Sequence, residues 1–259
     1  MFKICTLCSS SKGNCSFITD GETNILIDCG IKLAGLKKFC KENNLDIQNI
    51  DAVIITHEHI DHICGLKSVC KCIKPKIYAH SYIQNAIDER LGLKLEYQDI
   101  DISGFMVGNI MVYPFRVSHD SIFPLGYTFV EGDKRVSYAT DLGIVSSVVL
   151  ENLYNSDMAF IEANHDKKML LQGNYPMLLK RRVQGELGHL SNDESAKLIS
   201  SLSENRLQKV LLCHLSENNN LPELAYSTVC SCIEKNKNIT KHIEVEVAPS
   251  TAFSKFLEV

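Results

Sequence analysis

Thr56-His57-Glu58-His59-Ile60-Asp61-His62 packs three imidazoles and the carboxylate of Asp61 into seven residues. The stretch ahead of it, Asp51-Ala52-Val53-Ile54-Ile55, reads as a buried strand, so the polar side chains begin where the strand stops. Alternation in extended chain sets His57 and His59 on one side, and the turn that follows redirects Asp61 and His62 toward a neighbouring point. Donors of this kind at this spacing predict two adjacent divalent metal ions.

One loop cannot saturate two ions that need four to six ligands each. Three later residues each follow a predicted strand: His119 in Arg116-Val117-Ser118-His119-Asp120, Asp141 in Tyr138-Ala139-Thr140-Asp141, and His214 in Leu211-Leu212-Cys213-His214. Strand ends on one edge of a layered sheet structure converge on one rim, where such a set completes a site. Asp28, at the end of another strand, reads either as an acceptor for a ligand histidine or as a turn aspartate.

Outward from the motif, β-branched runs separated by turn residues predict strands over 2–7, 15–19, 23–28, 52–56 and 76–79. A second series is predicted over 110–117, 125–130, 135–140, 158–162, 210–213 and 243–247. Helical periodicity falls at 32–43, 65–73, 81–91, 191–203 and 222–235. Hairpins come first in each half and alternating strands and helices follow. This pattern predicts an α/β fold of four layers, αββα, with two mixed sheets face to face and helices outside. No linker interrupts residues 1–259, which read as one domain.

With 45% hydrophobic residues and a net charge of -4, the chain has material for a core and no bulk charge for coating nucleic acid or anionic membrane. No run resembles a signal peptide or a membrane span, and eleven scattered cysteines fit reduced thiols, so a cytoplasmic location is expected. The one-residue spacing of Cys70/Cys72 and Cys230/Cys232 is not that of common zinc knuckles, and these pairs read as incidental thiols.

The order HxHxDH, His, Asp, His resembles the metallo-β-lactamase superfamily over essentially the whole chain. That resemblance implies His57, His59 and His119 on one metal, Asp61, His62 and His214 on the other, and Asp141 bridging them. Lactam-hydrolysing members place cysteine or histidine where Asp141 stands, and flavodiiron members place an acid where His59 stands. This sequence departs from both and sits with the nuclease, phosphodiesterase, lactonase and thioesterase branches. Two divalent cations, two aspartates and a bridging hydroxide nucleophile sum to a core near +1 (+4 − 2 − 1), suited to an anionic diester. Asp61 is placed to orient the nucleophile. The metals read as zinc or manganese, with iron possible from the same donors.

An alkoxide leaving group needs a proton, and Gly188-His189-Leu190-Ser191-Asn192 supplies His189 ahead of a helix that Ser191 or Asn192 caps. In RNA-processing members of the superfamily a Glu-Ala pair orients such a histidine, and Glu162-Ala163 resembles it. Further segments extend the resemblance: Ser9-Ser10-Ser11-Lys12-Gly13-Asn14, Phe160 to Asp166, Tyr175-Pro176 running into Leu179-Lys180-Arg181-Arg182, and His214-Leu215-Ser216-Glu217-Asn218-Asn219. With these the chain resembles the YycJ/WalJ-like group of bacterial metallo-hydrolases. The group implies a 5′-to-3′ exonuclease acting on DNA, with ties to cell-wall regulation and DNA repair in Gram-positive bacteria.

Lys180, Arg181 and Arg182 form a local basic patch for DNA phosphates, and Lys12 with its serines offers donors to a terminal phosphate. A solvated helix face and a Ser/Gly hairpin remain the alternatives for these two segments. His80, His165 and His242 fall outside the pattern, although His165 adjoins Glu162. A small-molecule hydrolase of cyclic diesters, lactones or thioesters, and a silent regulatory scaffold, stay open as other functions. Neither the long insertion of the larger RNA and DNA nucleases with a second domain nor the glycine- and proline-rich arm of transfer-RNA-processing relatives is evident, which disfavours structured RNA.

Overall fold

A computed structural model describes residues 2–250 and 252–259. In the first sheet β1 (Lys3–Ser10), β2 (Gly13–Thr19) and β3 (Asn24–Ile27) form an antiparallel meander. β4 (Ala52–Ile54), β5 (Lys76–Tyr78) and β6 (Tyr97–Gln98) then add in parallel. The second sheet repeats the plan. β7 (Phe105–Val107), β8 (Ile110–Arg116), β9 (Leu125–Glu131) and β10 (Lys134–Ala139) are antiparallel, and β11 (Met158–Glu162), β12 (Lys209–Cys213) and β13 (Glu244–Val247) continue in parallel. β14 (Leu257–Glu258) returns to pair with β1.

Period-two alternation splits each strand between two cores. Ile25, Ile27, Ala52 and Ile54 of the first sheet face Met158, Phe160, Leu211 and Cys213 of the second, forming the core between sheets. Leu26, Val53 and Ile55 point the other way, onto α1 (Leu33–Glu42), α3 (Leu66–Ile73) and α4 (Ser81–Leu91); the short α2 (Ile60–Ile63) precedes α3. Ala159, Ile161, Val210 and Leu212 pack on α5 (Ser147–Leu153), α8 (Asn192–Ser203) and α9 (Pro222–Lys235). The αββα sandwich expected from the sequence is therefore the fold.

The expected strands and helices are present with ends displaced by a few residues. β6, β7 and β14, two or three residues long, are too short to show a strand pattern, and α5 was likewise not expected from the sequence. Between β11 and α8 the chain also forms α6 (Lys167–Gln172) and α7 (Met177–Gln184), which place the basic run on a helix. Ser191 caps α8 in a reciprocal box with Glu194. No helix among the described residues is long and apolar enough to cross a membrane.

Candidate metal centre

Strands of both sheets end at one edge, and a sharp backbone reversal follows three of them. Asp28 comes directly after β3, Asp141 two residues after β10 and His214 directly after β12, with φ of 61°, 55° and 56°. Left-handed backbone in residues other than glycine costs about 1–3 kcal/mol each and persists only where surrounding structure enforces it. Here it turns each side chain back across the strand ends. His59 sits at the N-cap of α2, whose first turn carries Asp61 and His62. Gly30 lets the end of β3 approach this turn, because a Cβ there would overlap the Asp61 carbonyl oxygen and the Asn14 backbone.

Anchoring of one ring nitrogen aims the other. Nδ1 of His62 lies 2.7 Å from Asp28 Oδ2, Nδ1 of His214 lies 2.7 Å from Glu162 Oε1, and Nδ1 of His119 lies 3.2 Å from the Gly188 carbonyl. Nδ1 of His57 meets Thr56 Oγ1 at 3.0 Å. Each Nε2 is left for the centre, the arrangement that fixes tautomer and basicity in metal sites. The donor atoms of His57, His59 and His119 lie within 4.8 Å of one another. So do those of Asp61, His62 and His214, and those of His57, His62 and Asp141.

These residues fit divalent metal. His57 Nε2 and Asp141 Oδ2 are buried without any hydrogen-bond partner, a costly state for polar atoms unless a cation takes them up. Burial lowers His57 well below the usual imidazole range and lowers His119 as well. Burial opposes protonation of His62 and His214 too, but Asp28 and Asp141 raise the former to about 10, and Asp141 and Glu162 raise the latter to about 9. A ligating imidazole is neutral, so metal must displace protons from His62 and His214 while His57 and His119 are already prepared. Metal uptake at pH 7 is thus expected to release protons, and affinity to rise with pH until about 9 to 10, above which no proton remains to be displaced. Calorimetry in two buffers of different ionisation enthalpy counts those protons; none released at pH 7 would contradict the prediction.

Beside the ligands, Glu162 joins two histidines. Its Oε1 accepts from Nδ1 of both His189 and His214 at 2.7 Å, and Oε2 accepts the backbone N–H groups of Leu142 and Leu190 at 3.1 and 3.2 Å. His189 and His214 hold this buried carboxylate at about 2 against the effect of burial. The His189 ring stands 5.1 Å from those of both His119 and His214.

The basic run divides. Lys180 is buried and its Nζ donates to the Leu171 carbonyl at 2.7 Å, tying α7 to α6, so the expectation that it binds substrate is corrected. Arg182 bonds Asp120 at 2.5 Å, next to His119, and Arg181 is exposed on the same helix. Lys12 is exposed and pairs with Glu217 at 2.6 Å, beyond His214. Asn14 was not singled out from sequence. Its Nδ2 donates to Asp61 Oδ2 at 3.0 Å and lies 3.1 Å from His62 Nε2. It ends the serine-rich segment 9–14, but a neutral amide carries no metal signature. His165 is buried with Nδ1 unpartnered. Cys70 and Cys72 lie in α3 and Cys230 and Cys232 in α9, and among the described residues no cysteine joins a metal-ligating group.

Comparison with known proteins agrees with this architecture. Residues 23–214 match the beta-lactamase superfamily domain. The chain is 34% identical to exodeoxyribonuclease WalJ of Streptococcus pneumoniae over 88% of its own length and 87% of that protein. It is 31% identical to exodeoxyribonuclease YycJ of Bacillus anthracis over 88% of each. Among solved structures, the metallo-β-lactamase fold protein YhfI of Bacillus subtilis superposes with a TM-score of 0.74 over 98% of both chains at 16% identity, a likeness of fold. With the fold, the His/Asp cluster and these relatives taken together, the chain belongs to the metallo-β-lactamase superfamily of metal-dependent hydrolases, in the group that holds WalJ and YycJ.

Proposed function

We propose that this chain is a single-domain, binuclear phosphodiesterase of the cytoplasm that degrades DNA from the 5′ end. The observation that carries the phosphodiester reading is the shared Glu162 oxygen, which ties a histidine outside the ligand set to a histidine within it. The DNA substrate rests on likeness to WalJ and YycJ, both named exodeoxyribonucleases, and the 5′-to-3′ polarity on the group resemblance.

His57, His59 and His119 would hold one metal and Asp61, His62 and His214 the other, with Asp141 between them. The chemistry a zinc or manganese pair supplies is an acidified water and neutralisation of charge on the phosphoryl oxygens. The protein's own groups do the rest. Glu162 fixes the His189 ring through Nδ1, leaving Nε2 to give its proton to the leaving oxygen. Asn14 holds the Asp61 carboxylate in place. Arg181, Arg182 and Lys12 contribute cations on the rim for backbone phosphates, locally and against a negative whole. All eleven cysteines are unpaired, which supports a reducing compartment.

Digestion of end-labelled single- and double-stranded DNA and RNA with Mn²⁺ or Zn²⁺, beside a small diester and a thioester, tests the proposal. Mononucleotides released from the 5′ end of DNA are expected. Internal cuts, preferential loss of a 3′ label, or cleavage of the small substrates alone would overturn it.

A further inference from the structure

Beside the metal motif lies an aromatic cluster that the chemistry above does not use. Phe123 stacks on His80 with ring centroids 3.8 Å apart and planes at 17°, and the Arg116 guanidinium stands 3.8 Å from the Phe123 centroid. Two groups that close cannot share one ring face, so Phe123 is held between a cation and an imidazole. Tyr82 packs edge-on against both rings, 4.8 Å from His80 and 5.2 Å from Phe123, yet is 67% exposed. His80 is fixed further by its Nδ1, which accepts the Tyr82 backbone N–H and caps α4.

The cluster is tied to the metal motif by backbone. β4 and β5 are parallel neighbours, with Ile54 opposite Tyr78 and the Ile55 N–H bonded to the Tyr78 carbonyl at 2.9 Å. Residues 55–59 and 79–82 therefore leave the sheet side by side at the same edge. The loop that carries His119 between β8 and β9 returns through Phe123. On one side of Phe123, the Ile122 N–H donates to Glu58, which stands between His57 and His59; on the other, the Leu125 N–H donates to the Thr56 carbonyl. Arg90, 3.8 Å from Glu58, adds a second cation to this flank.

Ordered rings, a largely exposed tyrosine and flanking guanidiniums match one class of ligand reached from a phosphodiester. Bases present π-faces whatever their sequence, and single-strand sites combine such platforms with cations that follow the backbone. We propose that Tyr82 and His80, braced by Phe123 and Arg116, stack an unpaired nucleobase of the strand whose phosphodiester lies at the metal centre. This rests on the nuclease reading and would hold the base that unpairs as its phosphodiester reaches the metal centre.

The test is fluorescence anisotropy with metal-loaded protein and a short single strand made cleavage-resistant by phosphorothioate linkages, compared with the same strand carrying abasic residues. Tyr82→Ala is expected to weaken binding of the intact strand about 5- to 100-fold and to leave the abasic strand nearly unchanged. Tyr82→Phe and Tyr82→Trp should restore binding, and 2-aminopurine should be quenched by the native protein but not by Tyr82→Ala. Equal losses on intact and abasic strands, or no loss on either, overturn the stacking site. If either result accompanies 5′-end digestion of DNA, the nuclease reading survives alone. If the native protein neither binds nor digests any strand, both readings fall, and an exposed aromatic cluster that serves a protein partner replaces this one.

Discussion

Asp141→Ala is expected to lose metal and activity together, with turnover falling roughly 10³-fold or more, since several kcal/mol of charge stabilisation go with the ions. Asp141 Oδ2 lies 3.4 Å from His62 Nε2, while Oδ1 lies 3.4 Å from His214 Nδ1 and 3.7 Å from His119 Nε2. Burial works against its charge, but His214, His62, His119 and His57 together hold the carboxyl well below the usual range. Removing that charge takes away the carboxylate that His62, His119 and His214 surround and that the ions would share. Asp141→Asn keeps the side chain's shape and tolerates left-handed backbone, so it isolates the charge from the backbone geometry. It should fail as Asp141→Ala does. Elemental analysis of the purified variants beside turnover decides the matter: full metal content in either would remove Asp141 from the ligand set.

His189→Ala separates chemistry from metal loading. The ring clusters with Asp141, Glu162 and His214, but it meets them through Nδ1, which Glu162 already holds at 2.7 Å, so metal content should stay near that of the native protein. Turnover on a natural diester should drop about 10²- to 10⁴-fold, the usual worth of a positioned proton donor. A p-nitrophenyl diester, whose leaving group departs without a proton, should be largely spared. Glu162→Gln is the contrasting variant. Its oxygen serves His214 as well as His189, so it should cost both turnover and some 10- to 100-fold in metal affinity. Equal loss on both diesters with His189→Ala would assign the ring to substrate placement instead.

The ligands were legible because metal chemistry restricts donors to a few residue types and the fold restricts them to strand ends. His57 to His62 announced the site, and His119, Asp141 and His214 followed predicted strands in order. Other features depend on contacts that no local pattern records. Asn14 acts through a hydrogen bond to Asp61, far along the chain. Lys180 reads as solvated beside two arginines, and only the pairing of α6 with α7 turns it inward. The stack of His80 on Phe123 joins opposite sheets, so neither residue signals it alone. The longer strands and the helices α1, α3, α4, α8 and α9 were readable from periodicity, the short α2, α5, α6 and α7 were not, and β6, β7 and β14 exist because neighbouring strands offer them an edge.

The left-handed turns at Asp28, Asp141 and His214 bear on how sequences of this fold drift. Each sits where glycine would be at ease, and each is held by a side chain the chemistry needs. A descendant released from selection for hydrolysis could take glycine at any of the three without the left-handed backbone cost, and would lose a side chain of the centre in the same step. A relative with glycine at Asp141 or His214 is therefore expected to keep the fold and lack the full metal-ligand set.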